Sequence, residues 1–365
     1  MTKPTPTNLM AIFPHWQRHA AFQHLRHDAH TAEDVAHFQQ FARKAHDHEL
    51  YRANPRYLAQ KMGWTEGHTL DFLILAVEEG LLDFEWEVYC PVCGALLQRT
   101  HEFHRLESHQ HCEMCHNDAD IRLDEEITPR VSAQNMLRRL HPSRRDRADF
   151  RAQVDESLGR LPALHLVNRS LFREKLGSQV LPNNHSLGVQ HLVVFFSDLK
   201  QSTQLYQTLG DAAAYRLVRQ HFEIIFDAIE RHGGAAVKTI GDGVMGTFFD
   251  NTAALRGVVE SVRGIQQLNQ QAALTEPQQL HLKVGMHAGP CIVVTLNNRL
   301  DYFGSTVNIA ARLSDLAQGD DIWLTKAVLN DPDTLTLAEE FPCDCDQKIQ
   351  LRDIHRTIEV CRLQL

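Results

Sequence analysis

The stretch VVFFSDLKQST, residues 193–203, decides how the second half of this chain folds. Its opening run of Val, Val, Phe and Phe predicts a central strand that is covered on both faces. Ser197 and Asp198 follow directly. An ionised carboxylate at the end of a buried strand is costly unless a surface loop, a base or a metal ion compensates its charge. Asp198 is therefore the first candidate functional residue.

The segments after Asp198 alternate between helix and strand patterns. Helices are predicted over 203–232, 252–273 and 305–317, and strands over 235–240, 244–249, 280–287, 291–296 and 321–324. This β-α-β-β-α-β order predicts an α/β fold, an α+β sandwich of the ferredoxin-like type.

The turn Gly241-Asp242-Gly243 joins two apolar, β-rich runs, which predicts a hairpin. Asp242 would then sit at a turn beside a strand end, as Asp198 does. Two such carboxylates can share a pair of divalent cations. On these two residues alone, a turn aspartate and a strand-end cap remain the simpler interpretation.

The composition is that of an ordinary globular protein with two or three domains. Of the 365 residues, 43% are apolar and 23% charged, and the net charge of −9 argues against nucleic acid or an anionic membrane as the main partner. The start MTKPTPTNLM lacks the features of a signal peptide, and the apolar run FLILAV at 72–77 is too short to span a bilayer. We therefore expect a cytoplasmic chain that binds neither nucleic acid nor membrane.

The first part of the chain is predicted to hold a helical segment over 1–50 and a winged-helix-like region over 51–89. A short helix, a turn at Gly63 and a longer helix lead into the alternating strand DFEWEVY. A helix that reads DNA carries basic residues toward the groove, but the second helix here offers only acidic ones. The pattern favours a structural or signalling role over DNA binding.

Two cysteine pairs follow that strand. Cys90 and Cys93 are separated by eighteen residues from Cys112 and Cys115. This spacing predicts a structural zinc ribbon over 90–130, because four thiolates close a tetrahedral site and leave no position open for catalysis. The histidines nearby are alternative ligands, although solvated loop positions explain them more simply. These are His101, His104, His109, His111 and His116.

An Arg-rich stretch at 138–151 and a turn-rich stretch at 177–188 lead us to interpret 131–185 as a linker and 186–365 as a second domain. In a reducing compartment, the remaining cysteines are expected to be buried or incidental rather than part of a disulfide framework. They are Cys291, Cys343, Cys345 and Cys361.

Four segments, FFSDLKQST, VKTIGDGVM, GMHAGP and DYFGSTVNIAARL, together resemble the catalytic domain of class III adenylate cyclases. The resemblance covers about 190–325 and continues less clearly to the C-terminus. It implies conversion of ATP to 3′,5′-cyclic AMP and pyrophosphate at a homodimer interface. The N-terminal region with its Cys pairs resembles the accessory region of some bacterial cyclases, which implies regulation by the zinc ribbon or by a protein partner.

The resemblance also implies roles for single residues. Asp198 and Asp242 match the two aspartates that hold a pair of Mg²⁺ or Mn²⁺ ions, and the backbone carbonyl of Leu199 assists. Arg312 matches the arginine that stabilises the transition state. Asn308, one helical turn before it, matches the residue that orients the ribose.

Lys238 and Asp301 match the family's adenine-reading pair. An ammonium donates to adenine N1 and a carboxylate accepts from the N6 amino group, whereas guanine presents the reverse pattern. Each mismatched group costs about 1–3 kcal/mol, so we expect ATP over GTP. Arg352 stands nearest to the family's phosphate-binding lysine. Gln201 departs from the family, where many members have Gly, and raises the expectation of slower turnover.

Several alternatives stay open. One is another nucleotide cyclase, for guanylate or a pyrimidine, although no GG(D/E)EF-like turn of a diguanylate cyclase is present. Others are a silent nucleotide-binding module, and a zinc-ribbon regulatory protein with a weakly active cyclase domain. All six principal positions that the resemblance assigns hold the expected residue, which favours an active enzyme. They are Asp198, Lys238, Asp242, Asp301, Asn308 and Arg312.

Overall fold

The computed structural model describes residues 21–22, 25, 32–177, 179, 181–182, 185–296, 299–352, 354 and 356–365. Most of residues 1–31, in the predicted helical segment 1–50, lie outside this set. The described residues form two compact units. Residues up to 167 and those in 171–181 make the first, and 168–170 with 182–365 make the second. Within the described parts, no helix has the length and apolar character needed to cross a membrane.

The first unit combines short helices with two small antiparallel sheets. Its helices are α1 (Ala32–Lys44), α2 (Pro55–Met62), α3 (Glu66–Glu78), α4 (Pro142–Arg145), α5 (Ala148–Leu158), α6 (Ala163–Val167) and α7 (Ser170–Lys175), whose first residue is assigned to the second unit. Its strands are β1 (Leu82–Tyr89), β2 (Leu96–Thr100), β3 (His109–His111), β4 (Asp118–Asp120) and β5 (Ile127–Ala133), ordered β2-β1-β5 and β3-β4. Helices α4 to α7 lie in the stretch 131–185 that we interpreted as a linker. The winged-helix-like interpretation of 51–89 stays a prediction.

A buried ion network crosses the larger sheet of the first unit. Glu87 on β1 is fully buried and accepts hydrogen bonds from Arg52 and from Arg130 Nε, the latter at 2.7 Å. Burial alone would raise the pKa of Glu87, but the charge of Arg130 and the hydrogen bonds from Tyr89, Arg52 and Arg130 outweigh it and hold that pKa at about 2. The carboxylate is therefore ionised and compensated at neutral pH.

The second unit confirms the predicted α/β fold. Its elements are β6 (Leu187–Leu199), α8 (Ser202–Leu209), α9 (Asp211–Arg231), β7 (Ala235–Ile240), β8 (Gly243–Phe248), α10 (Asn251–Gln271), β9 (Leu282–Leu296), β10 (Arg299–Phe303), α11 (Ser305–Leu316), β11 (Asp321–Thr325), α12 (Pro332–Ala338), β12 (Cys343–Gln350) and β13 (Thr357–Gln364). The sheet has the order β12-β13-β11-β9-β6-β8-β7, and β10 pairs with β9.

The helical stretches predicted over 203–232 are the two helices α8 and α9, which meet at Gly210, where φ is 74°, a value that favours glycine. One detail of the predicted order was wrong. The strands predicted at 280–287 and 291–296 are one continuous strand, β9. The sequence also missed β10, which folds back on the end of β9 as an antiparallel partner.

Strand β6 lies at the centre of the sheet, as its apolar run predicted. It pairs antiparallel with β8 on one side and β9 on the other. Val193, Val194 and Phe195 are no more than 2% exposed. Val193 and Phe195 belong to one hydrophobic core with residues of α9 and α10, such as Ile225 and Val262. This burial fixes where β6 ends, and so where Asp198 emerges.

Strand β9 and helix α11 come into backbone contact at Gly285. A Cβ added there would lie 2.1 Å from Ser314 N and 2.4 Å from Ala310 O, closer than van der Waals contact allows. The absence of a side chain therefore lets α11, which carries Asn308 and Arg312, lie directly on the sheet.

The substitution Gly285→Ala is expected to push α11 away from β9, because both clashing atoms belong to the helix backbone. We expect a loss of about 1–3 kcal/mol in stability and faster hydrogen exchange in α11. Gly264→Ala on α10 is the matched control, since its added methyl would meet only the Ile224 side chain. Exchange in α11 that is unchanged by Gly285→Ala would contradict the close-approach argument.

The last two strands contain a disulfide. Cys345 on β12 and Cys361 on β13 are bonded, whereas the sequence predicted no disulfide for either residue. That prediction was wrong because the antiparallel pairing of the two strands brings these cysteines together, and spacing alone does not reveal it. Cys291 is buried, as expected, and Cys343 is an exposed free thiol.

Candidate active site

Asp198 and Asp242 come together at one end of the sheet. Strand β6 pairs with β8 so that Ser197 lies opposite Val244, which brings Asp198 to the level of the turn that holds Asp242. A Cβ on Gly243 would lie 2.5 Å from the Ser197 carbonyl oxygen. Glycine at this position therefore lets the turn close on the end of β6, as the hairpin prediction required.

The two carboxylates fit a divalent cation. Asp242 Oδ2 is buried and has no hydrogen-bond partner among the described residues. A buried carboxylate oxygen without a partner is costly, and a bound cation would satisfy it. Carboxylate and carbonyl oxygens are the ligands that Mg²⁺ prefers. Leu199 ends β6 directly after Asp198 and carries the carbonyl assigned to the same set.

An open groove of about 580 Å³ adjoins Asp198, and Gln201, Lys283 and Gln318 contribute to its lining. Gln201 has φ 55° and ψ 36°, in the left-handed region that favours glycine. A residue with a Cβ pays about 1–2 kcal/mol for this conformation. Gln201, where many members of the resembled family have Gly, thus holds the backbone at the edge of the groove in a conformation that glycine adopts more easily.

Two residues near the carboxylates were missed by the sequence analysis. Lys283 on β9 places its Nζ 3.2 Å from Asp198 Oδ2. His221 on α9 is fully buried, donates from Nδ1 to the Val218 carbonyl oxygen at 2.8 Å, and has no described partner for Nε2. Burial lowers the pKa of His221, against the opposing effects of that carbonyl, Asp242 and Asp198. Only the strand register and the helix packing reveal either residue.

Asn308 and Arg312 project from α11 one turn apart, as predicted. Both are exposed. Arg312 Nη1 lies 3.4 Å from Asp315 Oδ2, and the arginine side chain is 45% exposed. The exposed guanidinium offers N–H donors that suit a phosphate. Arg352 is exposed in the turn between β12 and β13.

Lys238 on β7 and Asp301 on β10 form an ion pair, with Nζ and Oδ2 2.5 Å apart. The carboxylate also accepts a hydrogen bond from the Tyr302 backbone N–H at 2.8 Å. Two exposed apolar residues stand on the same strands: Ile240 is 54% and Phe303 is 43% exposed. The pair thus offers a donor and an acceptor next to apolar surface, which suits a purine base. Sequence reasoning missed these two flanking residues because exposure depends on the fold.

Residues 186–361 match the family described as "Adenylate and Guanylate cyclase catalytic domain". These residues form a class III cyclase catalytic domain. A second family, described as "Family of unknown function (DUF5939)", matches residues 16–270, more than half of the chain, so the chain belongs to that family.

Similar proteins include both kinds of cyclase. An adenylate cyclase of Mycosarcoma maydis is 31% identical over 162 residues, which are 39% of this chain and 6% of that protein. The receptor-type guanylate cyclase gcy-19 of Caenorhabditis briggsae is 31% identical over 186 residues, 48% of this chain and 14% of that protein. The adenylyl cyclase CyaB from P. aeruginosa, a solved structure, is 24% identical with a TM-score of 0.42, covering 49% of this chain and 95% of that one. The chain thus spans a small part of the length of these curated relatives.

The first unit of the chain holds a second candidate metal site. The Sγ atoms of Cys90 and Cys115 lie 3.7 Å apart, those of Cys93 and Cys112 lie 3.6 Å apart, and all four are within 4.8 Å of one another. A tetrahedral zinc with Zn–S bonds of about 2.3 Å requires sulfurs about 3.8 Å apart. The four thiolates therefore fit a closed structural zinc site.

The local backbone explains this geometry. Each Cys pair forms the same knuckle, in which the N–H four residues after the first Cys donates to its carbonyl. Gly94 donates to Cys90 at 2.9 Å and His116 to Cys112 at 2.7 Å. Both donors have positive φ. His109 and His111 instead pair with Asp120 and Asp118 on the surface.

We expect one zinc per chain, lost in Cys112→Ser, because three thiolates no longer close the site. Hydrogen exchange should then rise across 90–121 while the cyclase domain is unaffected. Cys343→Ser, which removes an exposed thiol outside the cluster, is the control. Metal analysis that finds no zinc in freshly purified protein, or unchanged zinc in Cys112→Ser, would show the assignment to be wrong.

Proposed function

We propose that this chain is an adenylate cyclase that forms 3′,5′-cyclic AMP and pyrophosphate from ATP. Membership of the cyclase family supports nucleotide cyclisation. The observation that selects adenine is the Lys238–Asp301 pair, which presents an ammonium donor next to a carboxylate acceptor.

The two ends of the pair match adenine and oppose guanine. Lys238 donates to N1 of adenine, and Asp301 accepts from the N6 amino group. Guanine would set its N1–H against the ammonium and its O6 against the carboxylate. Two mismatches at about 1–3 kcal/mol each give a selectivity of tens to thousands for ATP. The apolar faces of Ile240 and Phe303 support the base from its sides.

In the reaction, the ribose 3′-oxygen bonds to the α-phosphorus, the bond from that phosphorus to the bridging oxygen breaks, and pyrophosphate leaves. The 3′-hydroxyl proton passes to solvent. When bound at Asp198 and Asp242, Mg²⁺ or Mn²⁺ supplies positive charge that acidifies this hydroxyl and offsets charge on the phosphates. Asn308 orients the ribose, and Arg312 offers its guanidinium to the α-phosphate. Lys283 adds a positive charge beside Asp198.

We further infer a homodimer with two shared sites and regulation through the zinc-ribbon region. Exposed apolar side chains on the β9–β10 hairpin support an interface there. Ile292 is 40%, Leu296 is 47% and Phe303 is 43% exposed. Strand pairing sets Phe303 opposite Ile292, and Leu296 lies four residues farther along β9. Each site would take Asp198 and Asp242 from one chain. The other chain would supply the base-reading pair, Lys238 and Asp301, together with Asn308 and Arg312.

Turnover of each nucleoside triphosphate with Mg²⁺ or Mn²⁺, followed by product mass, tests the reaction. ATP is expected to give 3′,5′-cyclic AMP in preference to the other nucleotides. Asp198→Ala or Asp242→Ala should lower the rate by about 10²–10⁴-fold, since each removes a metal ligand. Asp333→Ala, at an exposed position on α12, is the control. A preference for GTP, or the absence of any cyclic product, would refute the proposal.

Mixing two inactive variants tests the shared site. Asp198→Asn and Arg312→Ala chains should each be inactive, but a mixed dimer has one site built wholly from intact residues. Half of the dimers are mixed and half of their sites are intact, so an equal mixture should recover roughly a quarter of wild-type activity. If subunits exchange and the mixture stays inactive, all six residues must serve one chain.

A further inference from the structure

A buried asparagine belongs to the second unit but precedes the residues that the cyclase family matches. Asn168 is 2% exposed. Its Oδ1 accepts two hydrogen bonds, from Tyr302 Oη at 2.8 Å and from Thr247 Oγ1 at 2.9 Å. Thr247 and Tyr302 are themselves 0% and 3% exposed. One oxygen therefore satisfies two buried hydroxyl groups.

The two hydroxyls come from strands that do not pair. Tyr302 is on β10, which pairs with β9, and Thr247 is on β8, which lies between β6 and β7 in the described sheet. Backbone hydrogen bonds thus relate β10 to β8 only indirectly, through β9 and β6. The Asn168 oxygen supplies a direct link between them, with directional bonds at both ends.

The hydrogen bond between Asn168 and Tyr302 is connected to the base-reading pair through Asp301. Tyr302 follows Asp301 directly, and its N–H donates to Asp301 Oδ1 at 2.8 Å, while Asp301 Oδ2 faces Lys238. Tyr302 is therefore held at both its backbone and its hydroxyl. A displacement of Tyr302 as a whole, its backbone included, would move the N–H that orients the carboxylate.

The two residues after Asn168 lie near Lys238, the other member of the base-reading pair. Arg169 and Ser170 line a cavity of about 350 Å³ together with Lys238 and Thr239 of β7. The segment 168–170 belongs to the second unit, although its neighbours in sequence on both sides, Val167 and Leu171, belong to the first. The segment 168–170 thus bonds to β10, which carries Asp301, and borders a cavity with β7, which carries Lys238.

An apolar residue would fill the space of Asn168 at lower desolvation cost, but it would remove the oxygen to which both buried hydroxyls donate. We propose that Asn168 is a positioning residue for nucleotide recognition, which holds Tyr302, and through it Asp301, in the orientation that accepts from the adenine amino group. This rests on the proposed function and extends its base selection to a residue that touches no substrate.

The test compares Asn168→Ala and Tyr302→Phe in the full chain. Tyr302→Phe removes one oxygen and keeps the ring, so it stays informative if Asn168→Ala folds poorly. For each variant, kcat and KM are measured with ATP and GTP, and affinities with fluorescent N-methylanthraniloyl derivatives of both nucleotides. We expect the ATP:GTP ratio of kcat/KM to fall by about 3- to 10-fold. The change should lie mainly in KM for ATP.

The double variant adds a second criterion. Because both changes break the same link, their combined effect should match that of one of them rather than their product. Tyr215→Phe, at a 63% exposed tyrosine on α9, is the control and should keep the wild-type ratio.

An unchanged ATP:GTP ratio in both variants, or fully multiplicative effects, would overturn the positioning role. A wild type that binds ATP and GTP equally well would overturn it too, because the pair then reads no base. A wild type that forms no cyclic product would refute the proposed function instead, and the binding ratio would still decide the role of Asn168.

Discussion

The antiparallel register of β6 with both of its neighbours is the constraint on which the candidate active site depends. On one side it sets Asp198 beside the turn that holds Asp242, and on the other it sets Asp198 opposite Lys283. A slip of one residue would turn Asp198 to the other face of the sheet. The buried run before Asp198 opposes such a slip, because it would move Val193 and Phe195 out of the core that α9 and α10 complete.

Several of the charges assigned to metal, base or phosphate already have an opposite charge within the same chain. Asp198 faces Lys283, Asp301 faces Lys238, and Arg312 faces Asp315. A ligand therefore exchanges one ionic partner for another and does not have to desolvate a bare charge. The exchange lowers the electrostatic cost of leaving these groups in a groove before the nucleotide arrives.

The sequence was sufficient where function follows from local pattern. The apolar run before Asp198, the turn at Asp242 and the spacing of the Cys pairs each specify their own geometry. Contacts between residues that are distant in sequence could not be predicted from local patterns. Lys283 depends on strand register and Asn168 on two hydroxyls far away in sequence. Glu87 occupies a polar position in the alternating pattern of β1, which predicts exposure. It is nevertheless buried next to Arg52 and Arg130, which are distant in sequence.

The anchoring of β10 by Asn168 bears on how this cyclase is divided for study. The family match begins at residue 186, after the asparagine. A fragment cut at that boundary retains every matched position but loses the acceptor for the hydroxyls of Tyr302 and Thr247, at a cost of about 1–3 kcal/mol for each buried group. Nucleotide discrimination measured on such a fragment would understate that of the intact chain, and the difference would be mistaken for a property of the catalytic residues.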